Sequence, residues 1–288
     1  MMRTLLLGGA GMLGTDLQRT LSGKVDAPTS AELDIRDAAA VEAAASGVDV
    51  VINAAAYTRV DDAESHEDDA HAINAVGAEN AARAAAAAGA KLVHVSTDYV
   101  FDGTADEPYR EDAPLNPLGA YGRTKAEGER RVLAAHPDPH IIRTAWLYGA
   151  GGSSFPSTML RLASERETVS VVTDQVGQPT WTMDLARLIR TLIDLGAPGG
   201  IYHGTNGDSA TWFVFARELF IRAGLDPERV QQTTSDAFVR PAPRPAYSVL
   251  GHSAWTRAAL DVPRPWRAAL DDAFADGAFA DLTQETAR

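Results

Sequence analysis

The sequence predicts an α/β protein, and three observations support this fold class. Short apolar runs alternate with alanine-rich helical stretches through the first half of the 288 residues, as is typical of a parallel sheet covered by helices on both faces. A glycine-rich turn at residues 8–14 joins the first apolar run to the first helical stretch. After residue 149, loops rich in Gly, Ser and Pro become frequent. Together these observations predict a Rossmann-like, doubly wound parallel sheet with a smaller C-terminal substrate lobe.

The individual elements follow from apolar periodicity and turn residues. We predict strands at 4–7, 25–27, 48–53, 91–96 and 140–144. Helices are predicted at 12–21, 38–45, 71–88, 121–135, 183–195, 212–223 and 265–279. The alanine run at 81–88 is interpreted as part of a crossover helix, because alanine favours helices and its small side chain allows close packing on a sheet. Residues 1–149 should form a dinucleotide-binding domain and 150–288 mainly a substrate-binding lobe, with some segments returning to the sheet.

Composition limits the classes of partner and chemistry. The formal net charge of −13 disfavours nucleic acid and anionic membranes, because the protein's field repels polyanions. The chain has no cysteine, which excludes disulfides, thiolate nucleophiles and thiolate zinc sites. The seven histidines show no metal-ligand spacing, and we expect no metal. The first apolar run is too short for a signal peptide or a membrane span, so we expect a cytoplasmic protein.

The glycine-rich turn predicts a pyrophosphate site. Gly8 permits the tight turn, Gly11 allows close approach of the pyrophosphate, and Gly14 lets helix and strand pack closely. Met12 and Leu13 begin the helix, whose N-terminal N–H groups and dipole attract phosphate. A glycine motif alone is a weak signal, but its place between a strand and a helix favours a dinucleotide cofactor over an ordinary turn.

The residue that meets the adenosine ribose is ambiguous. Asp26 would favour NAD if the second strand ends there, because a carboxylate binds the 2′-hydroxyl and repels a 2′-phosphate. If the strand continues, Thr29 or Ser30 takes the position and tolerates phosphate, although no arginine stands nearby to bind it. The balance favours NADPH, with use of NADH left open.

Further cofactor contacts are expected at strand ends, where ligands of open α/β sheets bind. Asp34 and Ile35 are predicted to meet the adenine, although a helix cap and a core residue explain them equally well. Small residues after the third strand allow the cofactor to pass close to the backbone. The remaining predicted contacts are Ala54, Ala55, Ala56, Tyr57 and Ser96.

The predicted catalytic residues are Thr97, Tyr121 and Lys125. Tyr121 and Lys125 are four residues apart on a predicted helix, so they share one face. Tyr121 would donate a proton while the nicotinamide delivers hydride to a carbonyl. Lys125 should lower the pKa of the phenol and bind the nicotinamide ribose, and Thr97 should hold the carbonyl oxygen. The alternative is a solvated helix face, which the strand ending in Thr97 disfavours.

These residues resemble the extended short-chain dehydrogenase/reductases and, within them, the dTDP-4-dehydrorhamnose reductases. The most specific segment is Ser96-Thr97-Asp98-Tyr99-Val100-Phe101-Asp102-Gly103, and the resemblance spans nearly the whole chain. The other matching segments are residues 53–57 with 60–64, residues 143–149, residues 174–180, and Arg244-Pro245 with Ser248 and Leu250.

The resemblance implies a dTDP-4-keto-6-deoxy sugar whose C4 ketone is reduced to a hydroxyl. By that analogy, Thr97, Asp98, Tyr99 and Trp146 would contact the sugar, with Trp146 stacking on the hexose unless it is a core residue. Weaker substrate candidates are Gln178, Asn206 and Arg244. An arginine such as Arg244 could pair with the diphosphate, or it could be a surface cation beside a proline turn.

Other functions are weighed against this one. Sugar-nucleotide 4,6-dehydratases carry an acidic residue after Thr-Asp, where this chain has Tyr99, so dehydration is disfavoured. A reductase of another deoxysugar pathway and a non-catalytic nucleotide-binding subunit stay open as alternatives. Some family members bind magnesium through glutamates at a dimer contact, and no such residues can be matched here. A homodimer remains open, and the sequence does not reveal the stereochemistry at C4.

Overall fold

A computed structural model of the chain describes residues 1–282. Its strands are, in chain order, β1 (Arg3–Leu7), β2 (Lys24–Asp26), β3 (Val50–Asn53), β4 (Lys91–Thr97), β5 (His140–Thr144), β6 (Leu147–Tyr148), β7 (Val169–Val172), β8 (Val176–Gly177), β9 (Thr180–Trp181), β10 (Gly200–His203), β11 (Ala210–Thr211) and β12 (Val230–Thr233). Its α-helices are α1 (Met12–Thr20), α2 (Ala38–Ala44), α3 (Glu67–His71), α4 (Ala78–Ala88), α5 (Ala120–Ala135), α6 (Phe155–Glu165), α7 (Thr182–Asp194), α8 (Trp212–Arg222), α9 (Ser253–Arg257) and α10 (Trp266–Ala275).

The predicted doubly wound sheet is confirmed. In the described chain, six strands form one parallel sheet in the order β10-β5-β4-β3-β1-β2. In this register Leu7 pairs with Asn53, and Thr97 pairs with Thr144. The carboxyl ends of the central strands therefore meet at one edge of the sheet, where the glycine-rich turn and the Thr97 loop both begin.

Helices cover both faces of the sheet. On one face, α2, α4 and α5 bury apolar residues against β1, β3 and β4, including Leu5, Val51 and Leu92. On the other face, α1, α7 and α9 pack against Leu6, Ile52 and other residues of the same strands. Because the strands are buried from both sides, they are continuous apolar runs rather than alternating ones.

The C-terminal part of the chain forms a second hydrophobic core. Two of its elements, α7 and β10, pack with the sheet domain instead. Helices α6, α8 and α10 pack around the parallel pair of β7 and β12, with Phe215, Phe220, Trp266 and Leu270 fully buried. Helix α7 covers α1, and β10 extends the sheet beside β5. The predicted division at residue 149 stays a prediction, although the chain does change from the sheet to the second core near this point.

Two predicted helices differ from the structure. The predicted helix 71–88 is replaced by α3, a π-helical segment at Ala72–Gly77 and α4. The wider turn lies where Gly77 packs against Ile35 and where the Asn74 carbonyl packs against Gly128, so tertiary contacts decide the local geometry. The predicted helix 265–279 ends at Ala275, because Gly277 takes a left-handed φ of 77°. No helix within residues 1–282 is both long and apolar enough to cross a membrane.

Candidate active site

The glycine-rich turn forms a cradle with exposed helix N–H groups. Gly8 has a φ of 86°, and a Cβ there would come within 2.6 Å of the Ala55 backbone nitrogen. Gly11 is the N-cap of α1, no side chain caps this end, and a Cβ on Gly11 would meet only the Gly8 carbonyl at 3.5 Å. Gly14 instead packs against the Gly9 backbone. The cradle thus fits the pyrophosphate of a dinucleotide.

A cavity of about 610 Å³ extends from this cradle. Eight of the predicted cofactor residues line it: Gly8, Gly11, Thr29, Asp34, Ile35, Ala54, Ala55 and Ala56. Ser96 is buried at the end of β4. The shape and the lining of the cavity fit an adenosine diphosphate moiety at the carboxyl edge of the sheet.

Three predicted cofactor residues do not line this cavity. Leu13 directs its side chain into the core, so only its backbone N–H can serve a phosphate. Met12 packs against Gly152. Tyr57 lies beside the cavity, where its phenol donates a hydrogen bond to Asp62.

The adenosine end of the cavity is lined by Thr29 rather than by Asp26. Strand β2 does end at Asp26, but the Asp26 carboxylate pairs with Lys24 at 2.9 Å. The Thr29 hydroxyl and N–H both donate to the Glu32 carboxylate, at 2.9 and 2.8 Å. The expectation that no arginine stands nearby is wrong, because Arg36 lines the cavity.

The Arg36 guanidinium is engaged by a neighbouring carboxylate. It donates through Nε and a terminal nitrogen to Asp34, at 2.9 and 2.6 Å. This bidentate pair holds the pKa of the Asp34 carboxyl below its ordinary value, so Asp34 stays ionised at the rim of the cavity.

The predicted catalytic residues come together at the end of β4. The Thr97 hydroxyl lies beside the Tyr121 phenol, and burial raises the pKa of Tyr121 to about 12. Lys125 is buried, and its Nζ donates to the Val95 carbonyl at 2.6 Å. Burial lowers the pKa of Lys125 to about 8, against the opposing charge of Glu129. The expected lowering of the Tyr121 pKa by Lys125 is not found, since burial dominates both groups.

Asp98 and Tyr99 complete the wall around Tyr121. The Thr97 hydroxyl donates its hydrogen bond to the Asp98 carboxylate at 2.9 Å. Burial raises the pKa of Asp98 to about 6, although the Ser248 and Thr97 hydroxyls oppose the shift. The ring of Tyr99 meets the ring of Tyr121 edge-on, with centroids 5.5 Å apart. The phenol of Tyr121 is therefore bordered by the Tyr99 ring, the Thr97 hydroxyl and one buried carboxyl group.

Glu64 and Asn74, which the sequence did not predict as site residues, form hydrogen bonds that stabilise α5, the helix of Tyr121. The Ala120 N–H, in the first turn of α5, donates to the Glu64 carboxylate at 2.8 Å. The Asn74 amide donates to the Thr124 hydroxyl at 3.0 Å and accepts from the Tyr57 N–H at 2.8 Å. The sequence did contain a signal for each residue. Glu64 is a carboxylate within the matched segment 60–64, and Asn74 is a poor helix former inside an alanine-rich predicted helix.

Trp146 lies where the sheet meets the second core. Its backbone has a φ of 46°, a left-handed conformation that is rare for a bulky residue. Its ring stacks on Trp212 with centroids 3.4 Å apart and planes 8° apart, and it also packs against Gly177. One aromatic face is thus already covered within the protein, while the side chain as a whole remains partly exposed.

Gln178 and Asn206 are not free to bind a sugar, and we assign both a structural role. The Gln178 amide donates to the Leu250 carbonyl at 3.2 Å and accepts from the Leu250 N–H at 2.7 Å. The Asn206 amide accepts from the Trp181 N–H at 2.9 Å and donates to Asp184 at 2.8 Å. Both side chains are fully buried, so their polar atoms satisfy groups inside the protein.

Arg244 lies on the loop that follows β12 and contacts the segment after β3. One terminal nitrogen pairs with Asp61 at 2.9 Å, and the other donates to the Ala242 carbonyl at 2.9 Å. The positive charge of Arg244 reaches Tyr99, where it opposes the burial that raises the pKa of that phenol. The guanidinium therefore stands close to the aromatic wall around Tyr121.

Comparison with known proteins identifies the family. The family model described as "RmlD substrate binding domain" matches residues 2–278. The chain belongs to this family. A curated relative, the dTDP-4-dehydrorhamnose reductase of Streptomyces griseus, is 49% identical over 282 residues, covering 94% of this chain and 93% of that protein. The dTDP-4-keto-6-deoxy-D-glucose reductase of Streptomyces niveus is 47% identical, covering 94% and 96%.

A solved member of the RmlD family has nearly the same fold. The dTDP-4-dehydrorhamnose reductase of Bacillus anthracis, solved in complex with NADP, superposes with a TM-score of 0.92 at 37% identity. The match covers 96% of this chain and 99% of that one. The two cores described above therefore belong to the common architecture of the RmlD family.

Proposed function

We propose that this protein is an NADPH-dependent reductase that converts the C4 ketone of dTDP-4-dehydro-L-rhamnose to the hydroxyl of dTDP-L-rhamnose. The observation that carries the proposal is the grouping of Thr97, Tyr121 and Lys125 at the carboxyl end of β4, on the same sheet edge as the glycine cradle. The Streptomyces griseus relative, which is 49% identical and is named a dTDP-4-dehydrorhamnose reductase, supports the substrate.

In the proposed reaction, Tyr121, Thr97 and Lys125 each have a separate role. When bound, the nicotinamide cofactor supplies a hydride to the C4 carbon. Tyr121 donates its phenolic proton to the C4 oxygen, so that the carbonyl becomes a hydroxyl and charge is balanced. The Thr97 hydroxyl holds the same oxygen as negative charge grows on it. Lys125 binds the nicotinamide ribose and supplies positive charge near the tyrosinate that remains.

The cofactor cradle supports NADPH, with NADH as a second cofactor. Thr29 and Ser30 line the ribose end of the cavity, and neither carries a charge that would repel a 2′-phosphate. The Glu32 carboxylate, which accepts from Thr29 on the same turn, would bind the 2′-hydroxyl of NADH and repel a 2′-phosphate, so it supports NADH as the second cofactor. The Bacillus anthracis relative solved with NADP supports the phosphorylated cofactor.

A reductase of another dTDP-4-keto-6-deoxyhexose is the second candidate. The Streptomyces niveus relative, named for dTDP-4-keto-6-deoxy-D-glucose, is almost as similar at 47% identity. Both substrates would use the same proton donor and differ in how the hexose lies against Tyr99 and Trp146. A non-catalytic subunit is disfavoured, because burying the charged Lys125 is costly unless it has a use.

The decisive experiment offers the purified protein both ketosugars with NADPH. Loss of the nicotinamide absorbance band with dTDP-4-dehydro-L-rhamnose, and an NMR spectrum of dTDP-L-rhamnose as product, is the expected result. Oxidation of NADPH only with the other ketosugar would replace the assignment by the second candidate. A cytoplasmic location and a homodimer are also proposed, and sedimentation velocity of the purified protein tests the homodimer.

A further inference from the structure

Residues 235–244, here called the strap, form an irregular loop between the two cores. At its start, the Asp174 carboxylate accepts hydrogen bonds from the Ser235 N–H at 2.8 Å and from its hydroxyl at 2.9 Å. At its end, the Ala242 N–H donates to Asp61 at 3.3 Å. The strap is therefore anchored at one end to the second core and at the other end to the segment that follows β3.

Asp61 forms ion pairs with both arginines of the strap, Arg240 and Arg244. Its carboxylate lies 2.9 Å from a terminal nitrogen of Arg244 and 3.8 Å from one of Arg240, besides accepting from Ala242. The second terminal nitrogen of Arg244 donates to the Ala242 carbonyl. These bonds fix the guanidinium from two sides, and a guanidinium has five N–H donors, so donors remain for an external anion.

The strap ends beside the proposed proton donor. The charges of Arg244 and Asp61 both act on the Tyr99 phenol, whose ring meets that of Tyr121. Gly119, immediately before α5, is so close to Pro243 that an added Cβ would lie 3.4 Å from the Pro243 ring. Arg244 therefore stands near the Tyr99–Tyr121 ring pair and the start of α5.

We propose that Asp61 is a positioning residue that holds Arg244, with Arg240 beside it, to bind the diphosphate of the substrate. This inference rests on the proposed function, since a dTDP-sugar carries its negative charge on the diphosphate. A protein with a net charge of −13 repels such a group at long range, so it needs fixed local cations. A guanidinium whose orientation is already fixed loses less entropy when it pairs with phosphate oxygens.

The test compares Asp61→Asn with the wild type in calorimetric titrations with dTDP. Loss of the fixed orientation should weaken dTDP binding about 10-fold and raise KM for the ketosugar by a similar factor, because charge-assisted phosphate bonds depend on geometry. The kcat and the affinity for NADPH should stay within about twofold. Asp61→Glu, which keeps the charge, should recover part of the affinity. Glu165→Gln, at an exposed pair with Arg161 on α6, is the matched control.

Two results would overturn the inference. Tighter dTDP binding by Asp61→Asn would mean that Asp61 competes with the diphosphate, and unchanged binding would mean that the pair has no role in recognition. If Asp61→Asn does not fold, Arg244→Lys keeps the charge without the two-sided fixation, and full dTDP affinity in that variant also contradicts the inference. A wild type that binds dTDP but reduces neither ketosugar would instead contradict the proposed function alone.

Discussion

The charge states of Tyr121 and Lys125 are set mainly by burial. Burial raises the pKa of the phenol to about 12 and lowers the pKa of the ammonium to about 8. At neutral pH the phenol therefore keeps its proton and the lysine keeps its charge. These are the states that a reduction requires, because the tyrosine must give up a proton and the lysine must remain a cation.

Replacing Tyr121 with Phe removes the proposed acid while keeping the ring. We expect kcat to fall about 1000-fold, within the range for loss of a general acid. The affinity for NADPH, measured by calorimetry, should stay within about twofold because the ring contact with Tyr99 is retained. Tyr109→Phe is the control, since its phenol bonds Asp102 instead. Turnover near the wild-type rate in Tyr121→Phe would contradict the assigned role.

Asp98 should make the stability of the protein depend on pH. Burial raises the pKa of its carboxyl from 3.8 to about 6, so between these values the folded state holds a proton that the unfolded state releases. Stability is therefore lost as the pH rises through about 6, and the loss persists above it. Asp98→Asn should gain up to about 3 kcal/mol relative to the wild type between pH 4 and pH 7.

Urea unfolding at the two pH values measures this effect. Asp226→Asn, at an exposed turn, is the control whose difference from the wild type should not change in this way. A difference between Asp98→Asn and the wild type that is the same at both pH values would contradict the assigned charge state of Asp98.

The N-terminus of helix α5 is stabilised by a side chain from another segment of the chain. Its N-cap, Gly119, has no side chain, and Glu64 accepts the Ala120 N–H instead. Tyr121 sits in the same first turn, so the position of the proton donor depends on this bond. The turn that carries Glu64 also begins next to Asp61, and it therefore connects the strap to the catalytic helix.

Glu64→Ala should lower both stability and turnover. Loss of the capping bond costs about 1 kcal/mol, and fraying of the first turn should reduce kcat several-fold. Glu64→Gln keeps an acceptor oxygen and should behave more like the wild type. Asp37→Ala removes the side-chain cap of α2, so it should cost similar stability without changing kcat. Thermal unfolding and steady-state kinetics measure both effects, and an unchanged kcat in Glu64→Ala would contradict the positioning role.

The elements show what the sequence could and could not predict. The glycine turn and strands β1, β4 and β5 were predictable because apolar runs end at residues with a specific chemical use. The π-helical segment was not, since its geometry follows from contacts of Gly77 with Ile35 and of Asn74 with Gly128, distant in the chain. Gln178 and Asn206 were predicted as substrate contacts, but the groups that they bond, among them Leu250 and Asp184, are distant in the chain and only the fold brings them near.

The stacked rings of Trp146 and Trp212 connect the sheet to the second core. Trp146 follows β5, whereas Trp212 begins α8 and is held by a hydrogen bond to Gln175 at 3.0 Å. The left-handed backbone of Trp146 makes its position costly, so the stack must help to hold it. This interface fixes one wall of the proposed sugar site.

Trp212→Leu should weaken substrate binding without touching the cofactor site. We expect KM for the ketosugar to rise about 10-fold, because an aromatic pair worth about 1 kcal/mol is lost and Trp146 gains freedom. NADPH affinity, measured by calorimetry, should stay the same. Phe213→Leu, at the next residue of α8 and against Arg217, is the control. A KM equal to that of the wild type would show that Trp146 does not need this support.

The path of the chain has a consequence for attempts to dissect the protein. Helix α7 and strand β10 come from the second half, yet they cover Leu6, Val93 and Ile142 and complete the edge of the sheet. A fragment ending at residue 149 would expose this apolar face to water and leave β5 as an unpaired edge. The two cores are thus interleaved in the polypeptide, and the nucleotide-binding half should aggregate when it is expressed alone.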